Sequence, residues 1–244
     1  MTDIAKNIAK LRLQIAEYAK QYHRDLSSIH LLAVSKTQPA SRIIEAYRAG
    51  QTHFGENYLQ EALSKMAELK KWTPDQVADD NIVDDSILNW HFIGPIQSNK
   101  TAAIAENFNW VHSVDRLKIA ERLSAQRPPE LPPLNIFLQL NLDNELSKSG
   151  FAYYELAQAI TYIKDLPNIN LRGFMLIPAP RDTLIAQRAI FATLKNLQND
   201  FSANHLTFDQ TSMGMSADME AAIAEGSNWL RIGTAIFGKR NSKE

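Results

Sequence analysis

Apolar residues recur along the first segment at alternating steps of three and four: Ile4, Ile8, Leu11, Ile15, Tyr18 and Tyr22. That spacing lines one face of an amphipathic helix. Beyond it the rhythm changes. Short apolar runs predict strands at 31–35, 52–54, 90–93, 110–113, 134–140, 170–176, 207–210 and 229–232. Helical patterns fill the intervals near 41–49, 57–70, 98–107, 115–126, 152–165, 183–199 and 216–225. Gly50 and Pro167 stop two of these helices, and Ser41 and Ser216 are expected as N-caps of two others.

Strands that alternate with helices indicate an α/β fold with a parallel sheet. Eight such units in 244 residues predict a single closed (β/α)8 barrel of the TIM type, one domain over 1–244. An open doubly wound sheet is the alternative. Too little chain follows the eighth strand for an eighth helix, so the extra N-terminal helix is expected to fill that gap in the ring. Residues 74–89 carry Asp75, Asp79, Asp80, Asp84 and Asp85, which predicts a solvated excursion, since the spacing fits no EF-hand. Arg127-Pro-Pro-Glu-Leu-Pro-Pro133 reads as a stiff connector before the fifth strand.

Composition narrows the function classes. Apolar residues make up 45% and charged residues 22%, an ordinary globular mixture. A net charge of −1 provides no basic field for nucleic acid or an anionic membrane. The absence of cysteine excludes disulfides, cysteine zinc sites and thiol nucleophiles. No apolar run is long enough for a bilayer, and Asp3, Lys6, Lys10 and Arg12 interrupt any secretory leader, so a cytoplasmic protein is expected.

In a (β/α)8 barrel the functional groups sit just past the C-terminal ends of the strands. Those positions here are Lys36, then Glu56 and Asn57, then Gly94-Pro-Ile-Gln-Ser-Asn-Lys100. Ser113 and Asp115, Asn141, Glu145 and Lys148, and Met175 and Pro178 come next. Ser212-Met-Gly-Met-Ser-Ala-Asp218 and Arg231-Ile-Gly-Thr234 complete the set. A lysine after a strand is commonly a surface residue. Lys36, however, leaves the barrel at its mouth, where partial desolvation would free the amine to attack an aldehyde. The loops after strands seven and eight are the usual phosphate site of this fold. Ser216 at a helix start and the bare backbone of Gly233 and Thr234 suit an anion. Ordinary turn chemistry would explain either loop alone. An aldehyde-seeking lysine opposite a phosphate cradle fits pyridoxal 5′-phosphate (PLP).

Competing motifs fail. Gly233-Thr-Ala-Ile-Phe-Gly-Lys239 has Walker A spacing, but Arg240 replaces the hydroxyl residue and no helix can follow. No histidine pair stands at i,i+4, so no helical zinc site is expected, and His53, His91 and His112 read as core groups of three strands. Trp72, Trp90, Trp110 and Trp229 read as core or rim aromatics.

Several blocks together resemble the pyridoxal phosphate homeostasis protein family. They are Ala33-Val-Ser-Lys-Thr37, Phe54-Gly-Glu-Asn-Tyr58, Trp90-His-Phe-Ile-Gly-Pro-Ile-Gln-Ser-Asn-Lys100, Ser212-Met-Gly-Met-Ser-Ala-Asp218 and Arg231-Ile-Gly-Thr-Ala-Ile-Phe-Gly238. Asn141-x3-Glu145-x2-Lys148-x-Gly150 and Leu171-Arg-Gly-Phe-Met-Leu-Ile-Pro178 are similar to two more. The likeness runs in order from about residue 30 to 240. Departures are slight: Ile96 and Phe174 where leucine is usual, and a longer acidic loop.

The resemblance implies a barrel like that of alanine racemase without its second domain. It implies Lys36 as the Schiff-base lysine, Ser216, Gly233 and Thr234 on the phosphate, Asn57 near the ring and Arg231 at the pyridine nitrogen. It also implies a carrier in vitamin B6 homeostasis that buffers PLP or delivers it to apo PLP-dependent enzymes, with no established turnover. A barrel with no obvious dimer segment is expected to be a monomer, and no metal site is expected. Lys148, just past strand five, is a second amine on the same face. A racemase-like PLP enzyme would need a second base, and an aldolase would be expected to carry its lysine on a later strand.

Overall fold

In a computed structural model, which describes residues 3–71, 88–143, 149–202 and 208–238, strands and helices alternate along the chain. They run α1 (Ile4–Gln21), β1 (His30–Val34), α2 (Ala40–Arg48), β2 (His53–Glu56), α3 (Leu59–Leu69), β3 (Asn89–Phe92), α4 (Thr101–Asn107) and β4 (Trp110–Val114). Then follow α5 (Leu117–Gln126), β5 (Leu134–Leu140), α6 (Leu156–Ile163), β6 (Ile169–Leu176), α7 (Leu184–Ser202), β7 (Gln210–Ser212), α8 (Met219–Ala224), β8 (Trp229–Ile232) and α9 (Thr234–Phe237). Each strand pairs in parallel with the next, and β8 returns to β1 through the register His30–Trp229 to Ala33–Ile232, closing the barrel. The (β/α)8 reading holds, and the open sheet is excluded.

Side-chain alternation explains the two packing layers. Ala33, Val111, Ile136, Leu138, Phe174 and Leu230 point outward and pack under the helices, in one cluster with Ile43, Ile104, Leu123 and Phe191. Their strand neighbours Leu32, Trp110, Phe137, Met175 and Trp229 form a second, smaller cluster that fills the interior. Trp90, a strand neighbour of His91, packs outward. No helix of the described residues is long and apolar enough to cross a membrane.

α1 occupies the expected gap in the ring. It packs against α2, α8 and α9, burying Ile4, Ile8, Leu11, Ile15 and Ala19. Polar ties fix its position: Asn7 Nδ2 donates to Ile236 O at 2.9 Å, Arg12 to Ala49 O and Gly50 O, and Tyr22 to Glu220 Oε1 at 2.8 Å.

Three local expectations need correction. β7 lies at Gln210–Ser212, not 207–210. The apolar Phe208 suggested the earlier start, but it packs outside the barrel edge-on to Phe174, with ring centroids 4.8 Å apart. Ser41 is not an N-cap, since α2 already begins at Ala40 after Pro39. Ser216 is not one either. The Asp218 carboxylate folds back to accept the Met215 N–H at 2.5 Å, so the turn tightens and α8 starts only at Met219. Most of the acidic excursion (72–87), with Trp72, lies outside the described residues, as do Glu145 and Lys148.

Candidate functional site

The C-terminal ends of the strands surround a cavity of about 310 Å³, near the lower end of the range for small-molecule sites (roughly 300–1,000 Å³). All six nominated residues line it: Lys36, Asn57, Ser216, Arg231, Gly233 and Thr234. Gln38, which the sequence did not single out, lines it too, together with Val34, Ile93, Ile177 and Phe237 among others. Other strand-end candidates stay outside it. Ser113 Oγ donates to Gly94 O at 2.5 Å, Asp115 pairs with Arg116 at 2.7 Å, and Met175 belongs to the barrel interior.

Lys36 projects from a backbone held on both sides. Thr37, the next residue, adopts φ 63°, a left-handed conformation uncommon for a non-glycine residue. Its N–H donates to Glu61 Oε1 at 2.6 Å. The ammonium of Lys65 reaches Glu61 Oε1 at 2.5 Å, Glu56 Oε1 at 2.8 Å and Ser35 O at 2.8 Å. Ser35 Oγ also donates to Glu56 Oε1 at 2.6 Å. Lys65 therefore clamps the residues that flank Lys36. Sequence reading missed this clamp, because Glu61 and Lys65 look like an ordinary i,i+4 surface pair. Glu56 is fully buried, and burial raises its pKa despite the opposing pull of Lys65 and Ser35.

Asn57 is set by close backbone packing. A Cβ on Gly94 would lie 2.1 Å from Asn57 O, so only glycine lets the loop after β3 approach. The Asn57 Oδ1 atom is buried with no hydrogen-bond partner among the described residues. An orphaned polar atom in a cavity wall calls for a ligand group or water.

Arg231 is 5% exposed. Its Nη1 donates to Ser212 Oγ at 2.7 Å and its Nη2 to Leu176 O at 2.9 Å. Among the described residues no carboxylate forms a salt bridge with it. Burial lowers its pKa to about 10, while Asp218 pulls it back up, so it remains a cation at neutral pH. The Asp218 carboxyl is itself shifted up by burial, against the Met215 N–H and Arg231.

The turn at Ser216 and Ala217 and the start of α9 adjoin Lys36 and do not stand opposite it, since β8 pairs with β1 and a Cβ on Gly233 would lie 3.2 Å from Val34 O. The hydrogen-bond ladder of α9 begins with Ile236 N and Phe237 N, both donating to Gly233 O. The N–H groups of Thr234 and Ala235 precede that ladder, the arrangement that receives anions. Gly214 (φ +94°) permits the turn out of β7, where a Cβ would strike Ala222 Cβ at 2.5 Å. The cavity thus gathers one amine, one buried cation, an unfilled amide and a run of backbone donors. That donor set matches an aldehyde that also carries an anionic group and a heteroaromatic ring.

The family model for the alanine racemase N-terminal domain matches residues 7–241. A pyridoxal phosphate homeostasis protein of Pseudomonas aeruginosa is 55% identical over 241 residues, covering 99% of this chain and 97% of that protein. The chain belongs to the pyridoxal phosphate homeostasis protein family. A relative from Escherichia coli K12, 46% identical over 241 residues and covering 99% of this chain and 98% of that protein, bears the same homeostasis name. The structure of PipY from Synechococcus elongatus, solved with PLP bound, is 35% identical with a TM-score of 0.80, covering 96% of this chain and all (100%) of that one. Alanine racemase of Corynebacterium glutamicum shares the fold at 16% identity and a TM-score of 0.65, with 99% of this chain matching 61% of the enzyme.

Proposed function

We propose that this chain is a monomeric cytoplasmic carrier of PLP, a single barrel domain that holds the aldehyde as a Schiff base on Lys36 and serves B6 homeostasis by buffering or delivery. One observation carries this reading: a single cavity is lined by the strand-end amine, the buried arginine and the two loops that suit an anion. The PLP-bound relative PipY and the homeostasis names of the similar proteins support it. In this reading Ser216 and the backbone at Gly233 and Thr234 hold the phosphate, and Asn57 lies beside the ring. Arg231 donates to the pyridine nitrogen.

PLP supplies an electron sink when its ring nitrogen is protonated. Arg231 works against that. It has no acceptor atom, so it meets only the unprotonated nitrogen, and its charge disfavours the pyridinium form. A racemase-like enzyme also needs a second base. Among the described residues that line the cavity, Lys36 is the one amine, and no carboxylate, histidine or tyrosine joins it. Both features favour a carrier.

The test combines two assays on the PLP-loaded protein. Mixing it with a PLP-dependent apoenzyme should restore that enzyme's activity, while alanine, glutamate and other amino acids should show no racemisation or transamination above free PLP. Robust turnover would establish the racemase-like reading instead.

A further inference from the structure

Three histidines from consecutive strands touch one another in the barrel interior. His53 Nδ1 lies 2.9 Å from His91 Nε2, and His91 Nδ1 lies 2.9 Å from His112 Nε2. His112 Nδ1 lies 2.8 Å from Ser212 Oγ, which in turn accepts from Arg231 Nη1 at 2.7 Å. The rings form a line and not a cluster around a point, and no metal-binding group occurs among the described residues. One end reaches the PLP cavity at Arg231. The other, at His53, lines a separate hollow with His30 and Arg12 at the opposite end of the barrel.

We propose that Ser212, His112, His91 and His53 form one polarised hydrogen-bond chain, oriented by Arg231, that positions the guanidinium as a fixed donor at the cavity. The direction follows from counting protons. A guanidinium only donates, so Ser212 Oγ accepts from Arg231. The Ser212 hydroxyl is fully buried, and its one other partner among the described residues is His112 Nδ1. Its proton must go there, or a buried donor stays unsatisfied, a costly state. His112 then carries its proton on Nε2 and donates to His91 Nδ1. His91 does the same toward His53 Nδ1, and His53 presents Nε2–H to the opposite hollow. All three are the Nε2–H tautomer.

Burial agrees with neutral rings throughout. It lowers His53 to about 4 and brings His91 and His112 well below the ordinary histidine value, with Arg231 adding to the effect on His112. Aromatic packing encloses the central ring: Trp110 stacks on His91 with centroids 5.5 Å apart, and Trp229 lies 4.8 Å from His91. The chain explains how a buried arginine that forms no salt bridge among the described residues keeps one orientation. Its two terminal nitrogens are pinned, at Ser212 and Leu176, and its remaining N–H groups are left for the ligand ring.

The positioning role rests on the PLP reading, whereas the tautomers do not, and the two are tested separately. Long-range 1H–15N correlation spectra of cofactor-free, 15N-histidine-labelled protein should show His53, His91 and His112 as Nε2–H, with none titrating between roughly pH 5 and 8. A Nδ1–H signal at any of the three would overturn the chain. In PLP titrations of the folded variants, His112→Leu should weaken binding about tenfold, the scale of one charge-assisted hydrogen bond. His112→Gln, whose amide keeps one acceptor and one donor, should recover most of that loss. Equal affinity for PLP in wild type and His112→Leu would remove the positioning role while leaving the tautomers standing. Nε2–H tautomers in a protein that binds no PLP would defeat the carrier reading alone.

Discussion

Lys65→Met should destabilise the protein by about 3–5 kcal/mol, the cost of stripping the partner from a buried charge. Glu56 has no exposed surface, and its Oε2 already lacks a hydrogen-bond partner among the described residues. Without Lys65, the carboxyl faces burial with only Ser35 to help, so its pKa rises further. The pH dependence follows from that sign. The native variant would hold a proton that the unfolded chain releases near its ordinary value of 4.5. Stability lost at neutral pH should therefore return as pH falls toward that value. Chemical denaturation at pH 7.5 and pH 5 measures both effects. The clamp on Thr37 would loosen too, so PLP affinity should fall. Glu61→Gln keeps an oxygen for the Thr37 N–H and should cost about 1 kcal/mol. A Lys65→Met protein as stable as wild type at pH 7.5 would show that the buried pair contributes little.

Pyridoxal, which lacks the phosphate, should bind at least about tenfold more weakly than PLP. Charge-assisted hydrogen bonds are worth roughly 1.5–3 kcal/mol each, and every 1.4 kcal/mol is tenfold in affinity. Ser216 offers a hydroxyl on the exposed rim of the cavity, so Ser216→Ala should narrow the gap between the two aldehydes without abolishing it. The backbone N–H groups at Gly233 and Thr234 would remain. Titration by fluorescence or visible absorption compares the four pairs. Equal affinity of the wild-type protein for pyridoxal and PLP would remove the phosphate assignment from both loops.

Much of this architecture was legible in the chain itself. Short apolar runs and period-3.6 helices are local signals, and counting them gave the barrel and the place of α1. Strand-end positions singled out Lys36, Ser216, Gly233 and Thr234, the family resemblance added Asn57 and Arg231, and all six line one cavity. β7 was the weakest reading, because Gln210, Thr211 and Ser212 carry no apolar run. Their polar groups are satisfied inside the fold, Thr211 Oγ1 by Gly226 O at 3.0 Å and Ser212 by its two interior partners. The histidine chain was invisible for another reason. His53, His91 and His112 lie far apart in sequence, and only the parallel pairing of β2, β3 and β4 sets them side by side. The available signal was one histidine of inward parity on each of three consecutive strands. Lys65 was hidden because burial of a helical lysine depends on the carboxylate beneath it, here Glu56 from β2.

The central claim is covalent attachment at Lys36, and borohydride reduction tests it most directly. PLP-loaded protein should be yellow, lose its visible band on reduction and yield one modified peptide, that containing Lys36. Lys36→Ala should lack the band under the same conditions. Recovery of the label on another lysine, Lys148 among them, or a full visible band in Lys36→Ala, would contradict the account.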